Sequence, residues 1–527
     1  MAAAAAIGDD AQRAARPIAP GATVAVIGAG AMGSGIAQVA AQAGHPVQLF
    51  DARDGIAADA AAKLGHRFDE MAAKGRLAHD AARAAAARVA PITALGECAD
   101  AALVVEAIAE DLAAKRALLH ALDGIVGDDA IVASNTSSLS ITALAAGSRR
   151  PARVAGLHFF NPAPLMPLVE IVSGVDTSCP VAATLFATAT AWGKSPVHAR
   201  STPGFIVNRC ARPFYGEALR LLAERAADVA TLDAVMREAG GFRMGAFELM
   251  DLIGLDVNFA VTRSVFDATF GDPRYAPSFL QQELVDAGHL GRKSGRGFYD
   301  HAPSAMRPTP RTESTYAAPT RIVAYGALGA AAALVERMRS AGATIEGVDA
   351  KPPFPGGVIG AGGAWLAPTD GRTATARAAA SGARDLVLFD WALDYARCAR
   401  LAVAVADGCA EPAAAAAIGA LQSAGIAVSR VDDVAGLVVA RTLAMLVNEA
   451  CDAVKEGIAA PQAVDLAMQK GVNYPRGPLA WGDEIGAARV RDVVAHLAAH
   501  YGEPRYRVSP RLARHAISSQ PLAWSSP

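Results

Sequence analysis

Cysteine is scarce in this sequence, and it is scattered. The six residues Cys98, Cys179, Cys210, Cys398, Cys409 and Cys451 form no C-x-x-C pair. That argues against a zinc site and against a disulfide framework, and no metal is expected. Long apolar runs are also missing: no stretch offers about 18 uninterrupted apolar residues, so no membrane span is expected. Excess charge of either sign is absent. With 49 Lys and Arg against 51 Asp and Glu, the formal net charge is -2. Neither nucleic acid nor a membrane surface is therefore expected as partner, and a polyanionic small ligand would need a local basic patch. The N-terminal "MAAAAAIGDDAQRAARPIAP" lacks an apolar core and carries two Asp, so residues 1–20 read as a flexible tail, not a signal peptide. A reducing cytoplasm is the expected compartment. What is present is apolar bulk: 52% hydrophobic and 19% charged residues over 527 positions, the profile of a globular chain of several domains.

Residues 21–201 alternate between short buried strands ("TVAVIGAG", "PVQLFD", "ADAALVVEAI", "AIVASNTS") and helical stretches such as "MGSGIAQVAAQAG". That pattern predicts a parallel sheet covered on both faces. From Thr202 to residue 302 the spacing turns helical. Residues 303–318 are rich in Pro and Thr and read as a linker. A second α/β stretch spans 319–430. A constant shift of 232 then relates Gly204 to Gly436, Arg209 to Arg441, Glu217 to Glu449, Asp233 to Asp465, Asp251 to Asp483 and Gly254 to Gly486. So regular a shift predicts a second copy of the helical domain over 431–512, followed by a tail over 513–527.

"VAVIGAGAMGSG" places G-x-G-x-x-G at Gly28, Gly30 and Gly33, after a strand and opening a helix. Gly28 permits the tight turn, Gly30 lets the backbone approach a pyrophosphate, and Gly33 lets helix and strand pack closely. Ala31 and Met32, at the start of that helix, belong to the same phosphate-facing turn. Asp51 ends the next strand about 20 residues on, where the fingerprint expects a carboxylate for the ribose hydroxyls. Asp51 favours NAD over NADP, with Arg53 nearby weakening that preference.

"ASNTSSLSI" follows a later strand, where loops of such sheets meet ligands. Ser137 there is a candidate donor to a substrate oxygen, or else a helix cap. In "GLHFFNPAPLMPLVEI", residues 156–171, His158 and Glu170 sit in a run that otherwise reads as core. A carboxylate bonded to one ring nitrogen would hold the imidazole ready to take a proton at the other. A structural His–Glu hydrogen bond would account for the same spacing.

"VIGAGAMGSGIAQ", "VVEAIAED", "SNTSSLSIT", "GLHFFNPAPLMPLVEI", "TPGFIVNR" and "GRKSGRGFYD" together resemble the L-3-hydroxyacyl-CoA dehydrogenase family, in family order across about residues 21–300. The resemblance implies a Rossmann NAD-binding domain followed by an all-α domain, and NAD-dependent oxidation of an L-3-hydroxyacyl-CoA to the 3-oxoacyl-CoA. It implies His158 as the base, Glu170 as its orienting partner, and Ser137 and Asn208 as the groups bonding substrate oxygens. It also puts Glu110, Lys115 and Lys293 near the cofactor. For the coenzyme A arm it suggests Lys74, with Arg67 and Arg76 as basic neighbours, although an ordinary solvated helix face fits that patch as well.

The second half differs. The shift maps Asn208 onto Ala440, and "YGALGAA" holds only Gly326 and Gly329, so one active site per chain is expected, in the first half. The layout resembles long bacterial members with a duplicated helical domain after a degenerate Rossmann-like insert. By that resemblance the two helical domains pack within the chain in place of a partner subunit, with a homo-oligomer still open. The long form also resembles 3-hydroxyadipyl-CoA dehydrogenases of phenylacetate breakdown. The alternatives are a 3-hydroxybutyryl-CoA dehydrogenase of short-chain fatty acid metabolism, a 6-phosphogluconate-type enzyme, or a non-catalytic scaffold such as λ-crystallin.

Overall fold

The computed structural model describes residues 15–348 and 356–523. Most of the expected N-terminal tail therefore lies outside the described residues. The chain divides into two compact units: Met1–Arg209 with Ala453–Val472, and Cys210–Asp452 with Asn473–Pro527.

The first unit is built on an eight-stranded sheet. Its strands are β1 (Val24–Ile27), β2 (Val47–Phe50), β3 (Val89–Pro91), β4 (Leu103–Glu106), β5 (Ile131–Ser134), β6 (Val154–Phe159), β7 (Leu168–Ser173) and β8 (Ser195–Arg200), in the order β3-β2-β1-β4-β5-β6-β7-β8. The apolar runs of β1, β4 and β5 are buried throughout, as strands covered on both faces must be. The order reverses direction at β1 and β4, which opens a crevice at their carboxyl ends.

One pairing departs from the expected parallel sheet. β6 and β7 are antiparallel, with His158 directly opposite Glu170. Residues 160–167 join them without a helix, and a parallel crossover needs a longer connection of a dozen or more residues.

The helix Pro461–Gly471, from the second half of the sequence, also belongs to this unit. At Gly471 it comes so close that a Cβ would lie 2.6 Å from Leu168. The Arg200 amide donates to Ile458 O at 2.8 Å, and Arg209 pairs with Glu456 through both guanidinium nitrogens at 2.6 and 3.1 Å.

The second unit contains the first helical domain, the insert and the rest of the second helical domain. The insert sheet runs β10-β9-β11-β12-β13-β14-β15. These strands are β9 (Arg321–Tyr325), β10 (Thr344–Val348), β11 (Val358–Ala361), β12 (Ala364–Pro368), β13 (Leu386–Phe389), β14 (Arg400–Val405) and β15 (Ala427–Arg430). Its pairings are mixed: β11 is antiparallel to both β9 and β12.

The repeat begins earlier than residue 431. Adding 232 to β7 (Leu168–Ser173) gives β14 (Arg400–Val405), and adding it to the helix Cys179–Ala191 gives Glu411–Ser423. The pair Leu157↔Ile171 becomes Phe389↔Val403, and Leu168↔Ser195 becomes Arg400↔Ala427. The copy thus includes the β5–β8 end of the NAD-type sheet as well as the helices. Backbone geometry repeats too: Phe205 (φ 47) matches Leu437 (φ 54), and Gly254 (φ 102) matches Gly486 (φ 98).

Of the expected tail from residue 513, the described residues to 523 form a packed element. Helix Pro510–Ser518 buries His515, and Leu522 is fully buried. Asp483 accepts the amides of Leu522 and Ala523 at 2.5 and 3.0 Å. In the first copy the equivalent Asp251 accepts those of Phe298 and Tyr299, both at 2.9 Å. An aspartate, buried in the first copy and half-buried in the second, therefore ties down the end of each helical domain. Residues 303–318 carry no helix or strand, yet Arg311, Glu313 and Tyr316 donate their amides to Thr231 Oγ1, Val428 O and Gln422 Oε1.

Candidate active site

The glycines of the first loop meet different constraints. Gly28 has φ 104, and a Cβ there would lie 2.5 Å from Ala107 O. A Cβ on Gly33 would lie 1.7 Å from Gly28 O, so helix Ala31–Gln42 could not approach β1 with any side chain there. A Cβ on Gly30 meets no protein atom within 4 Å. Its space faces the crevice, as expected of a residue kept small for a ligand. Gly30 is also the N-cap of that helix, with no side chain bonded to the first-turn amides. Such a terminus offers free N–H donors and partial positive charge to a phosphate.

The crevice has a volume of about 760 Å³ and is lined by Gly28, Gly30, Ala31, Met32 and Asp51, with apolar walls from Leu95 and Ile108. Asp51 accepts the Ala29 amide at 3.0 Å and Arg53 Nε at 3.0 Å. The hydrogen bond from Arg53 is the main reason its carboxyl is held down to about 2, against a smaller opposing effect of burial. Glycine cradle, uncapped helix and ionised carboxylate together fit a dinucleotide.

The candidate acid–base pair lies on the hairpin of β6 and β7. His158 Nδ1 lies 2.6 Å from Glu170 Oε2, with His158 5% and Glu170 0% exposed. The other carboxylate oxygen accepts the amides of Ile206 and Val207, both at 3.0 Å. Those amides are aimed by the preceding turn, where Phe205 takes a left-handed φ of 47, unusual for a side-chain-bearing residue. Glu170 is thereby fixed at both oxygens, and Nε2 is the ring nitrogen it leaves to other partners. Phe160 and Phe205 pack against the imidazole, with ring centroids at 4.5 and 5.9 Å.

Asn208 follows on the short helix Val207–Cys210, and its Nδ2 donates to Ser137 O at 3.3 Å. Ser137 and Asn208 are thus brought together in the first unit. Behind Ser137 stands Glu110, which accepts from Thr136 Oγ1 at 2.6 Å, from the Ser137 amide at 3.0 Å and from Ser138 Oγ at 3.1 Å. Burial works to raise the pKa of Glu110, but the Thr136 hydroxyl and the charge of Lys115 outweigh it and leave it lowered. Lys115 is 1% exposed and enclosed between Glu106 at 2.6 Å and Glu110 at 3.3 Å. Its ammonium acts on the loop through Glu110, with no open face of its own.

Four supporting residues carry no assigned role in the sequence: Glu106, Ser134 and Thr136 lie within "VVEAIAED" and "SNTSSLSIT", and Lys194 lies in no motif. Ser134 Oγ donates to Glu106 at 2.5 Å. Lys194 Nζ donates to the carbonyls of Ala163 and Met166 at 2.6 and 3.0 Å, fastening the loop after His158. Their partners stand at no fixed spacing along the chain, so the motifs alone do not pair them.

The remaining candidates lie elsewhere. Lys293 belongs to the second unit and pairs with Asp256 at 2.6 Å. Lys74 is exposed and pairs with Glu70 at 3.3 Å, and Arg67 donates to Gln38 at 3.3 Å. Glu70 offsets part of the positive charge expected of that patch.

In the copy, the shift of 232 replaces Ser137, His158, Glu170 and Asn208 by Thr369, Asp390, Ala402 and Ala440. Asp390 accepts the amides of Val438, Val439 and Ala440 at 2.9, 2.7 and 2.9 Å. One carboxylate takes over the structural task of Glu170, and no imidazole remains.

Models of the 3-hydroxyacyl-CoA dehydrogenase NAD-binding domain and C-terminal domain match residues 23–202 and, twice, 204–301 and 436–520. The 3-hydroxybutyryl-CoA dehydrogenase reduced Rossmann-fold domain matches 366–434, the stretch in which the copied strands lie. The chain is 41% identical to a 3-hydroxyadipyl-CoA dehydrogenase of Escherichia coli (strain K12), over 94% of this chain and 97% of that protein. A crystal structure of 3-hydroxybutyryl-CoA dehydrogenase from Escherichia coli K12 matches with a TM-score of 0.86 and 40% identity, covering 95% of this chain and 99% of that one. The pig mitochondrial hydroxyacyl-coenzyme A dehydrogenase is 39% identical over 53% of this chain and 90% of its own length. The chain therefore belongs to the 3-hydroxyacyl-CoA dehydrogenase family and is an NAD-dependent oxidoreductase of 3-hydroxyacyl-CoA.

Proposed function

We propose that His158 is the base that takes the 3-hydroxyl proton of the substrate, and the acid that returns it in the reverse direction. The observation that carries this reading is the buried His158–Glu170 bond of 2.6 Å, with the carboxylate locked by two backbone amides. A carboxylate so held fixes the tautomer and stabilises the imidazolium that forms. Bound NAD supplies the hydride acceptor. Asn208 and Ser137 hold the reacting oxygen where charge develops, each contributing on the order of 2.7–4 kcal/mol when well placed. Glu110 orients the Ser137 loop, and the glycine loop with Ala31, Met32 and Asp51 binds the dinucleotide. Lys293, and on the coenzyme A arm Arg67 and Lys74, complete the proposed contacts.

For the acyl group we propose a medium-length chain with a distal carboxylate, as in 3-hydroxyadipyl-CoA, with 3-hydroxybutyryl-CoA also turned over. The name of the full-length E. coli relative supports this. None of the six cysteines is joined in a disulfide, in keeping with work in a reducing cytoplasm. The test is absorbance of NADH with the two 3-oxoacyl-CoA substrates. His158→Ala should lower kcat by about 10²–10⁴-fold, the usual worth of a positioned base. Turnover near wild type would refute the assignment.

A further inference from the structure

The loop over residues 160–167, "FNPAPLMP", follows the strand of His158 and is short of hydrogen-bond donors. Pro162, Pro164 and Pro167 have no N–H to give. The amides of Leu165 and Met166 both donate to Pro162 O, at 2.9 and 3.0 Å, and Ser195 N donates to Pro167 O at 2.7 Å. The carbonyls of Ala163, Pro164 and Met166 are met by a single side chain. Lys194 Nζ donates to them at 2.6, 3.4 and 3.0 Å. An ammonium has three donors, and each finds a carbonyl here. Among the described residues no carboxylate pairs with Lys194, and burial lowers its pKa. Three hydrogen bonds to the loop offset the cost of partly desolvating the charge.

The loop so held touches the supports of both base and cofactor, all within the first unit. At its head Phe160 packs on the His158 imidazole, with ring centroids 4.5 Å apart, and the Phe159 amide just before it donates to Asn135 Oδ1 at 2.8 Å. Further on, it rests against helix Ala31–Gln42, whose first residues line the cofactor crevice. A Cβ on Gly35 of that helix would lie 3.1 Å from both Ala163 Cβ and Pro164 Cδ. The copy shows what is particular to the first half. By the shift of 232, Ala163 and Met166 become Tyr395 and Cys398, whose carbonyls accept from Arg337 Nη1 at 3.1 and 2.9 Å. A cation holds the same two places in both copies. In the copy, however, Phe160 has become Ala392 and His158 has become Asp390, so the clamped loop there carries no ring onto an imidazole.

We propose that Lys194 is a positioning residue for the reaction: through the carbonyls of Ala163, Pro164 and Met166 it holds the 160–167 loop against Gly35, and so fixes Phe160 and His158 relative to the bound dinucleotide. The proposal rests on His158 as the base. Lys194 touches neither the imidazole nor a reacting atom. It acts through the loop, and its worth is geometric, because small displacements of reacting groups are costly in rate.

Three variants of the full chain test it. Lys194→Met keeps the stem and removes the donors, Lys194→Arg keeps donors and charge, and Gly35→Ala presses on the loop from the other side. Sites would be counted by NADH binding, well below each melting temperature. Turnover per site would then be measured with acetoacetyl-CoA and either NADH or NADH deuterated at the transferred position. In this direction hydride passes from NADH to C3 and a proton passes from His158 to the 3-oxygen. Lys194→Met and Gly35→Ala should bind NADH within about twofold of the parent, while kcat per site falls about 10–100-fold. The deuterium isotope effect on kcat should be at least as large as the parent's, as slowed hydride transfer requires. Lys194→Arg should recover much of the lost kcat. A merely structural role would lower the number of sites or the melting temperature and leave kcat per site as in the parent, which overturns the proposal. A loss of NADH affinity in step with kcat overturns it, and so does a smaller isotope effect, which would place the lost rate outside hydride transfer. His158→Ala, run alongside, separates the two readings. If it turns over like the parent, the base assignment fails, and the Lys194 variants still decide whether the loop sets hydride transfer. If it is inactive while Lys194→Met matches the parent, the positioning role alone fails.

Discussion

At the scale of single residues, two imidazoles contrast. His158 has a carboxylate at one ring nitrogen, whereas neither ring nitrogen of the half-buried His198 has a partner among the described residues, and Phe186 stacks on it at 4.7 Å. Burial pushes the pKa of His198 down to about 4, from 6.5. Between those values the unfolded chain binds a proton that the folded chain refuses. His198 therefore lowers stability as pH falls from about 6.5 towards 4, and has no such effect above that window. Replacing it with Phe should leave the denaturation midpoint nearly unchanged at pH 8 and raise it relative to the parent at pH 5. Equal differences at both pH values would show that His198 does not titrate as argued. Glu170→Gln tests the other imidazole. The amide oxygen can still accept from Ile206 and Val207, but the ring loses its anion. Turnover should drop at least a hundredfold, with the melting temperature lowered much less. The pair itself was legible in the sequence because both residues interrupt an apolar run and lie close in the chain. The roles of Glu106 and Lys194 were not, although Glu106 stands in "VVEAIAED", because their partners are backbone groups and side chains brought near only by the sheet.

At the scale of elements, the glycine loop separates packing from binding. Gly33→Ala puts a methyl 1.7 Å from Gly28 O, so helix and strand must part. Gly30→Ala adds the same methyl where no protein atom lies within 4 Å. The first change should lower the melting temperature and abolish NADH binding together. The second should weaken NADH binding at least tenfold while leaving the apo melting temperature within about 2 °C, a shift well under the several degrees that 1 kcal/mol produces in a small domain. Differential scanning fluorimetry with and without NADH separates the two outcomes. The loop could be read from sequence because its chemistry is local: strand, turn and helix follow one another. The copied strands could not. β12 to β15 keep the topology of β5 to β8 but few of their residues, and the places of Ser137, His158 and Glu170 are taken by Thr369, Asp390 and Ala402. The helical copy stayed visible because its aspartates, glycines and arginine hold turns and buried contacts in place.

At the scale of the whole molecule, the two copies exchange the same bonds in both directions. Arg209 pairs with Glu456, and 232 residues on, Arg441 pairs with Glu224 at 2.9 Å. Arg200 N donates to Ile458 O, and its counterpart Asp432 N donates to Ala226 O at 2.9 Å. Each compact unit thus holds one member of each pair of equivalent bonds. The two ion pairs differ in what surrounds them. Arg441 is fully buried and also bonds Glu217 at 2.8 Å and Tyr506 at 2.8 Å, whereas the Glu456 side chain is 46% exposed. Arg441→Ala leaves the buried carboxylate of Glu217 with less compensation, at a cost of about 3–5 kcal/mol. Arg209→Ala releases a Glu456 carboxylate that is already 46% exposed and can be resolvated, which costs less than stranding a buried one. Urea denaturation should therefore rank the Arg441 variant well below the Arg209 variant, although the two arginines hold equivalent places. Equal losses would mean that the exchanged bonds have kept equal weight in both copies, and that burial of Arg441 adds nothing to its worth.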